Sequence, residues 1–94
     1  MKIKVRSILG ISKILGGRSI DVEVDEPATL AQLLETLTST YGKQFYEAVC
    51  SEDGYPVERV ALLINGVSAV AKDGIKTILH EDDDILILPI LRGG

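Results

Sequence analysis

The sequence predicts an α+β fold of two layers, a small mixed sheet with one main helix across it and a flexible C-terminal tail. Three observations lead there: two alternating segments near the N-terminus, one long amphipathic segment after them, and apolar runs bounded by turn residues in the second half. Ninety-four residues make a single domain, residues 1–94 with a tail at 89–94. A chain of this size buries roughly 60–65% of its unfolded surface, enough for one modest core. Hydrophobic residues make up 46% of the chain and aromatic residues 4%, without Trp, so that core is aliphatic.

Residues 2–8 alternate Lys2, Lys4 and Arg6 with Ile3 and Val5, the pattern of a half-buried strand. Residues 19–25 repeat it, with Ile20, Val22 and Val24 against Asp21, Glu23 and Asp25. Gly10, Gly16 and Gly17 lie between them as turn residues, so the two segments are expected to form a hairpin. Its outer face would set basic residues beside acidic ones, each cross-strand pair adding roughly 0.2–1 kcal/mol.

Pro27-Ala28-Thr29 opens the main helix, with Thr29 as N-cap and Gln32 at the capping-box position. Leu30, Leu33, Leu34, Leu37 and Tyr41 fall on one stripe. Gly42 is placed to end the helix in a left-handed conformation. Residues 43–58, with Gly54 and Pro56, lack clear periodicity and read as a loop containing a helical turn at 45–49. The continuous apolar run 60–64 predicts a central strand buried on both faces. Asn65-Gly66 is a strong hairpin signal and leads into a short strand, 67–70. A turn at 72–74 and a one-turn segment at 75–79 follow. After the acidic cluster 81–84 comes the final strand, 85–88, closed by Pro89, which lacks the donor a ladder needs.

Composition excludes several functions. Fourteen acidic and ten basic residues give a formal charge of -4, so nothing draws the chain to nucleic acid or to an anionic membrane. No run of eighteen apolar residues suggests a membrane span, and residues 2–8 do not read as a secretory signal. The single Cys50 cannot form an internal disulfide, which fits a reducing, cytoplasmic compartment.

The order of elements and the closing stretch now carry a resemblance. Gly16-Gly17, Ala28-Thr29-Leu30, Asn65-Gly66, Gly74-Ile75-Lys76-Thr77, Asp83-Asp84-Ile85-Leu86-Ile87-Leu88-Pro89 and the final Gly93-Gly94 resemble the β-grasp, ubiquitin-like sulfur carriers of the MoaD/ThiS group. That group includes the small subunit of molybdopterin synthase and the thiamine-pathway carrier. The resemblance spans essentially the whole chain. The length and the long middle loop are nearer the molybdopterin type. Three positions depart from that type: Ile90 where a second Pro is common, Arg92 where a small residue is usual, and Asp82 where Gly is frequent. Leu91-Arg92-Gly93-Gly94 resembles instead the tail of ubiquitin, so attachment to protein lysines is the second expectation and the thiamine pathway a third. A plain interaction domain whose Gly-Gly is never activated is the reading from another class.

The resemblance implies a division of labour. A partner activating enzyme would consume ATP to adenylate the carboxylate of Gly94, and a sulfur donor would convert the adenylate into a thiocarboxylate. A sulfur-acceptor synthase subunit would then take the sulfur, the carrier being monomeric alone or heteromeric with that large subunit. The carrier itself would hold no catalytic residue, no metal and no cofactor. Gly93 and Gly94 lack Cβ and so suit a narrow channel. The six residues from Pro89 onward reach at most about 20 Å. If Ile85 and Ile87 face the helix, Leu86 and Leu88 face away; with Pro89 they form the expected partner-binding patch beside the tail, an exposed apolar pair with polar flanks.

Other features read plainly. The cluster 81–84 lacks the spaced ligands and central Gly of a calcium loop and is a solvated turn. His80 has no ligand partners at metal spacing. Cys50 lacks an activating His or Lys in its sequence neighbourhood and is an ordinary small side chain. Gly16-Gly17 precedes no Lys-Ser/Thr and is not a phosphate loop. Lys2, Lys4 and Arg6 are a solvated face.

Overall fold

The computed structural model describes residues 1–50 and 60–90. Among these residues five strands, β1 (Lys2–Ser7), β2 (Ser19–Glu23), β3 (Val60–Ile64), β4 (Val67–Ser68) and β5 (Asp84–Pro89), form one sheet in the order β2-β1-β5-β3-β4. β5 is therefore the central strand, parallel to β1 and antiparallel to β3. Among the described residues three helices cover one face: α1 (Leu9–Leu15), α2 (Leu30–Tyr41) and α3 (Lys43–Val49). This is the expected β-grasp layout of a mixed sheet under a main helix, with two further helices beside it.

Alternation decides which side chains enter the core. Ile3 and Val5 from β1, Leu62 and Ile64 from β3, and Ile85 and Ile87 from β5 are all buried. They meet Leu30, Leu33, Leu34 and Leu37 of α2, Phe45 and Val49 of α3, and Ile11 and Leu15 of α1. Tyr41 packs partly buried at the margin. The β1–β2 register is Lys2 opposite Glu23 and Lys4 opposite Asp21, the charge matching that the sequence suggested.

Local signals fix the ends of elements. Thr29 and Gln32 form the capping box: the Thr29 N–H donates to Gln32 Oε1 at 2.8 Å, and the Gln32 N–H donates to Thr29 Oγ1 at 3.3 Å. Asn65 and Gly66 have φ of 51° and 84°, the signs that a two-residue type I′ hairpin requires. Gly42 does end α2, but at φ 79°, ψ −158°. That is not the left-handed helical region; it is a conformation essentially reserved for glycine, and it lets α3 start at once.

Several expectations are corrected. The connection between β1 and β2 is not a glycine turn, because it contains α1. Ile11 and Leu15, four residues apart, bury one side of that helix, and Gly16 ends it at φ 81°. Tertiary burial here outweighs the cost of about 1 kcal/mol for Gly10 within a helix. Residues 43–49 form a full helix rather than a single turn in a loop, anchored by Phe45 and Val49. The rest of that expected loop, with Gly54 and Pro56, lies outside the described residues. β3 is neither central nor buried on both faces: Leu62 and Ile64 are buried, while Ala61 and Leu63 remain half-buried. Helices cover one side of the sheet, so a continuous apolar run still has an open side. β4 is two residues long because a 3₁₀ turn begins at Ala69, and another occupies Gly74–Lys76.

Candidate functional site

The tail residues Leu91, Arg92, Gly93 and Gly94 lie outside the described residues; their root does not. β5 runs through the middle of the sheet and ends at Pro89, paired with Val60 of β3, and Ile90 follows as the last described residue. The tail thus leaves from the central strand, but β1 pairs with β5 only as far as Ile87, and β3 alone carries the ladder on to Pro89.

Alternation along β5 separates the three residues expected to form one partner patch. Leu86 and Leu88 lie together on the open face and are half-buried, while Ile85 and Ile87 face the helices. Pro89 has the parity of Ile87 and sits on the helix side, beside Val60. Leu86 and Leu88 are therefore joined not by Pro89 but by β3. Leu63 stands opposite Leu86, and Ala61 opposite Leu88. These two residues were missed in the sequence because the run 60–64 reads as buried throughout; strict alternation from Leu62 and Ile64 would have placed them outward.

Charge borders this apolar strip. On its β1 side, Arg6 lies opposite Leu86 and its Nε donates to Asp84 Oδ1 at 2.8 Å. That hydrogen bond and the negative charge of Asp84 raise the guanidinium pKa still further above its ordinary value. The pair is solvent-exposed, so it shapes the border of the strip more than it stabilises the fold.

The acidic turn before β5 is a structural lock. Asp83 Oδ1 accepts from Asn65 Nδ2 at 2.9 Å, and Asp83 Oδ2 accepts from the His80 N–H at 2.8 Å. Asn65 Oδ1 in turn accepts from the Asp84 N–H at 2.9 Å. The β3–β4 hairpin is thereby tied to the start of β5. Asp82 has φ 66°, in the left-handed region that Gly adopts freely, and Asp is among the few other residues that tolerate it. Asp83 is buried while Glu81 and Asp82 are exposed, so the expectation of a wholly solvated turn holds for part of it.

Cys50 is buried, and burial pushes its thiol pKa up, with a hydrogen bond involving Thr38 opposing that shift. A thiol held protonated is a poor nucleophile. Among the described residues no three His, Cys, Asp or Glu side chains come together in a way that could hold a metal ion. Among them also, no helix is long and apolar enough to cross a membrane.

Comparison with known proteins gives concordant results. The profile of the ThiS family matches residues 8–94. Small archaeal modifier protein 3 of Haloferax volcanii is 30% identical over 94 residues, covering all of both chains. A protein of Archaeoglobus fulgidus whose assigned name proposes a sulfur carrier is likewise 30% identical, again over the whole of both chains. The solution structure of the Haloferax volcanii HVO 2177 protein superposes with a TM-score of 0.83 at 30% identity, covering 100% of this chain and 87% of that one.

Proposed function

The chain belongs to the ThiS family, and from that premise we propose that it is a non-catalytic sulfur carrier whose reactive group is the carboxylate of Gly94. The observation that carries this reading is the tail root. Pro89 and Ile90 continue directly from the central strand, beside the apolar strip of Leu86, Leu88, Leu63 and Ala61. The strip offers a partner a fixed platform, and the glycine-ended tail offers it a reactive terminus.

The chemistry falls into two steps, both performed by the partner. The Gly94 carboxylate attacks the α-phosphorus of ATP, giving an acyl-adenylate and releasing pyrophosphate. A hydrosulfide-equivalent donor then attacks the acyl carbon, and AMP leaves with the electron pair of the broken C–O bond. The product is a thiocarboxylate at Gly94, whose sulfur is the nucleophile passed to the acceptor. Side chains are absent at Gly93 and Gly94, so the backbone of the tail fits a channel too narrow for a Cβ.

The acceptor in this reading is a synthase subunit of molybdopterin formation, which the chain length favours over the thiamine pathway. A second reading has specific support: attachment to protein lysines. It is favoured by the ubiquitin-like Leu91-Arg92-Gly93-Gly94 and by the modifier named among the relatives. Adenylation of Gly94 is common to both.

The test is ATP–pyrophosphate exchange with the cognate activating enzyme. Deletion of Gly94 abolishes exchange and leaves the melting temperature unchanged. Full exchange by the truncated chain would exclude Gly94 as the reactive residue.

A further inference from the structure

The side of the sheet away from Leu86 and Leu88 has its own apolar feature at the tail root. Leu9, Ile14, Ala48, Val60, Pro89 and Ile90 line an open groove of about 350 Å³. Leu9 is 57% exposed and Ile90 43%, both among the exposed large hydrophobic side chains of the described residues. Ile8, next to Leu9 in sequence, is a third exposed hydrophobic side chain. None of these residues carries a charge, so a charged occupant would lose hydration there without finding a partner.

Leu9 also has φ 57°, a left-handed conformation that a bulky side chain rarely adopts. Ile11 and Leu15 hold α1 against the core, and the first residue of that helix takes the strain. The fold thus keeps a leucine in an unfavourable conformation while burying little of it. Neither property benefits the isolated domain.

Resting on the carrier reading above, we propose that this groove is a second docking site for the activating enzyme, taking one branched aliphatic or aromatic side chain from the rim of its tail channel. The length of the tail supplies the argument. Four residues follow Ile90, and fully extended they reach at most about 14 Å. An enzyme that draws Gly94 into a buried nucleotide site must therefore bring its channel mouth against the residues around Ile90. On one side of the sheet those are Leu88 and Leu86; on the other they are the groove. The activating enzyme then grips the tail root from both sides of β5.

The test is carrier-dependent ATP–pyrophosphate exchange with the cognate activating enzyme, comparing the full-length chain with Leu9→Asn and Leu9→Lys. Asn tolerates positive φ, so Leu9→Asn removes the apolar side chain without adding strain. Both variants raise the KM for the carrier about tenfold, the scale expected for losing one buried leucine contact. They leave kcat within about twofold, and the melting temperature of Leu9→Asn does not fall. Exchange by the wild-type chain together with an unchanged KM for both variants overturns the groove as a docking site. A drop in melting temperature with Leu9→Asn would overturn it too, making the groove part of the protein's own packing. A shift of the isolated wild-type chain to dimer that Leu9→Asn abolishes would likewise overturn it, in favour of a second copy as occupant. Absence of exchange even with the wild-type chain refutes instead the carrier reading on which the proposal stands.

Discussion

Leu63 stands directly opposite Leu86 in the antiparallel β3–β5 ladder, on the side of the sheet that the helices leave open. With Ala61 opposite Leu88 the pair turns two isolated outward leucines into a continuous strip.

A double-mutant cycle on Leu63→Ala and Leu86→Ala, read by urea denaturation, should give a coupling of about 0.5–1 kcal/mol, the range of a good cross-strand pair. Leu86→Lys should raise the carrier KM in pyrophosphate exchange about tenfold. Its melting temperature should fall by less than ~5 °C, since the lysine stem can still cover part of β3. A much larger thermal loss would assign Leu86 to the core.

Asp83 is predicted to be the most important carboxylate of the acidic turn. It accepts from both Asn65 and His80, and it is buried. Asp83→Ala should cost about 2–3 kcal/mol, because it strips two donors of a charged acceptor. Asp82→Gly, one residue away, should be neutral or stabilising by up to ~1 kcal/mol, since it relieves a positive φ. Equal effects at the two positions in urea unfolding would contradict this account of the turn.

Cys50 predicts a pH dependence at the alkaline end. Its thiol is pushed above the ordinary value by burial, so the folded state holds its proton more tightly than the unfolded chain. The associated stability is fully present below the unfolded thiol pKa of about 8.5 and is lost as pH rises through the higher folded value. Comparing wild type with Cys50→Ala, the difference in unfolding free energy should be flat at neutral pH and should narrow above about pH 8.5. A difference that stays constant would show that the thiol titrates alike in both states.

Much of this was written locally in the sequence. Thr29 and Gln32 announce α2, Asn65-Gly66 announces its hairpin, and the charge alternation of residues 2–6 and 21–23 supports the β1–β2 pairing, whose register the structure supplies. What failed to read locally was decided by tertiary burial. α1 holds a glycine and lacks a side-chain cap, so only the burial of Ile11 and Leu15 declares it. α3 fully buries only Phe45 and Val49, two anchors too few for a periodicity. The run 60–64 carries no alternation, so its open side became visible only once the helices were seen to cover a single face. The candidate site was half legible. Leu86 and Leu88 followed from parity, whereas grouping Pro89 with them ignored that same parity. The groove at Leu9 depends on α1 and so could not be read before it.

The central claim is that Gly94 carries sulfur, and intact mass spectrometry of the protein purified from its own cells tests it most directly. The account predicts a species heavier by the exchange of one oxygen for one sulfur, localised by fragmentation to Gly94. A free carboxylate alone, persisting after incubation with ATP, the cognate activating enzyme and sulfide, would contradict it.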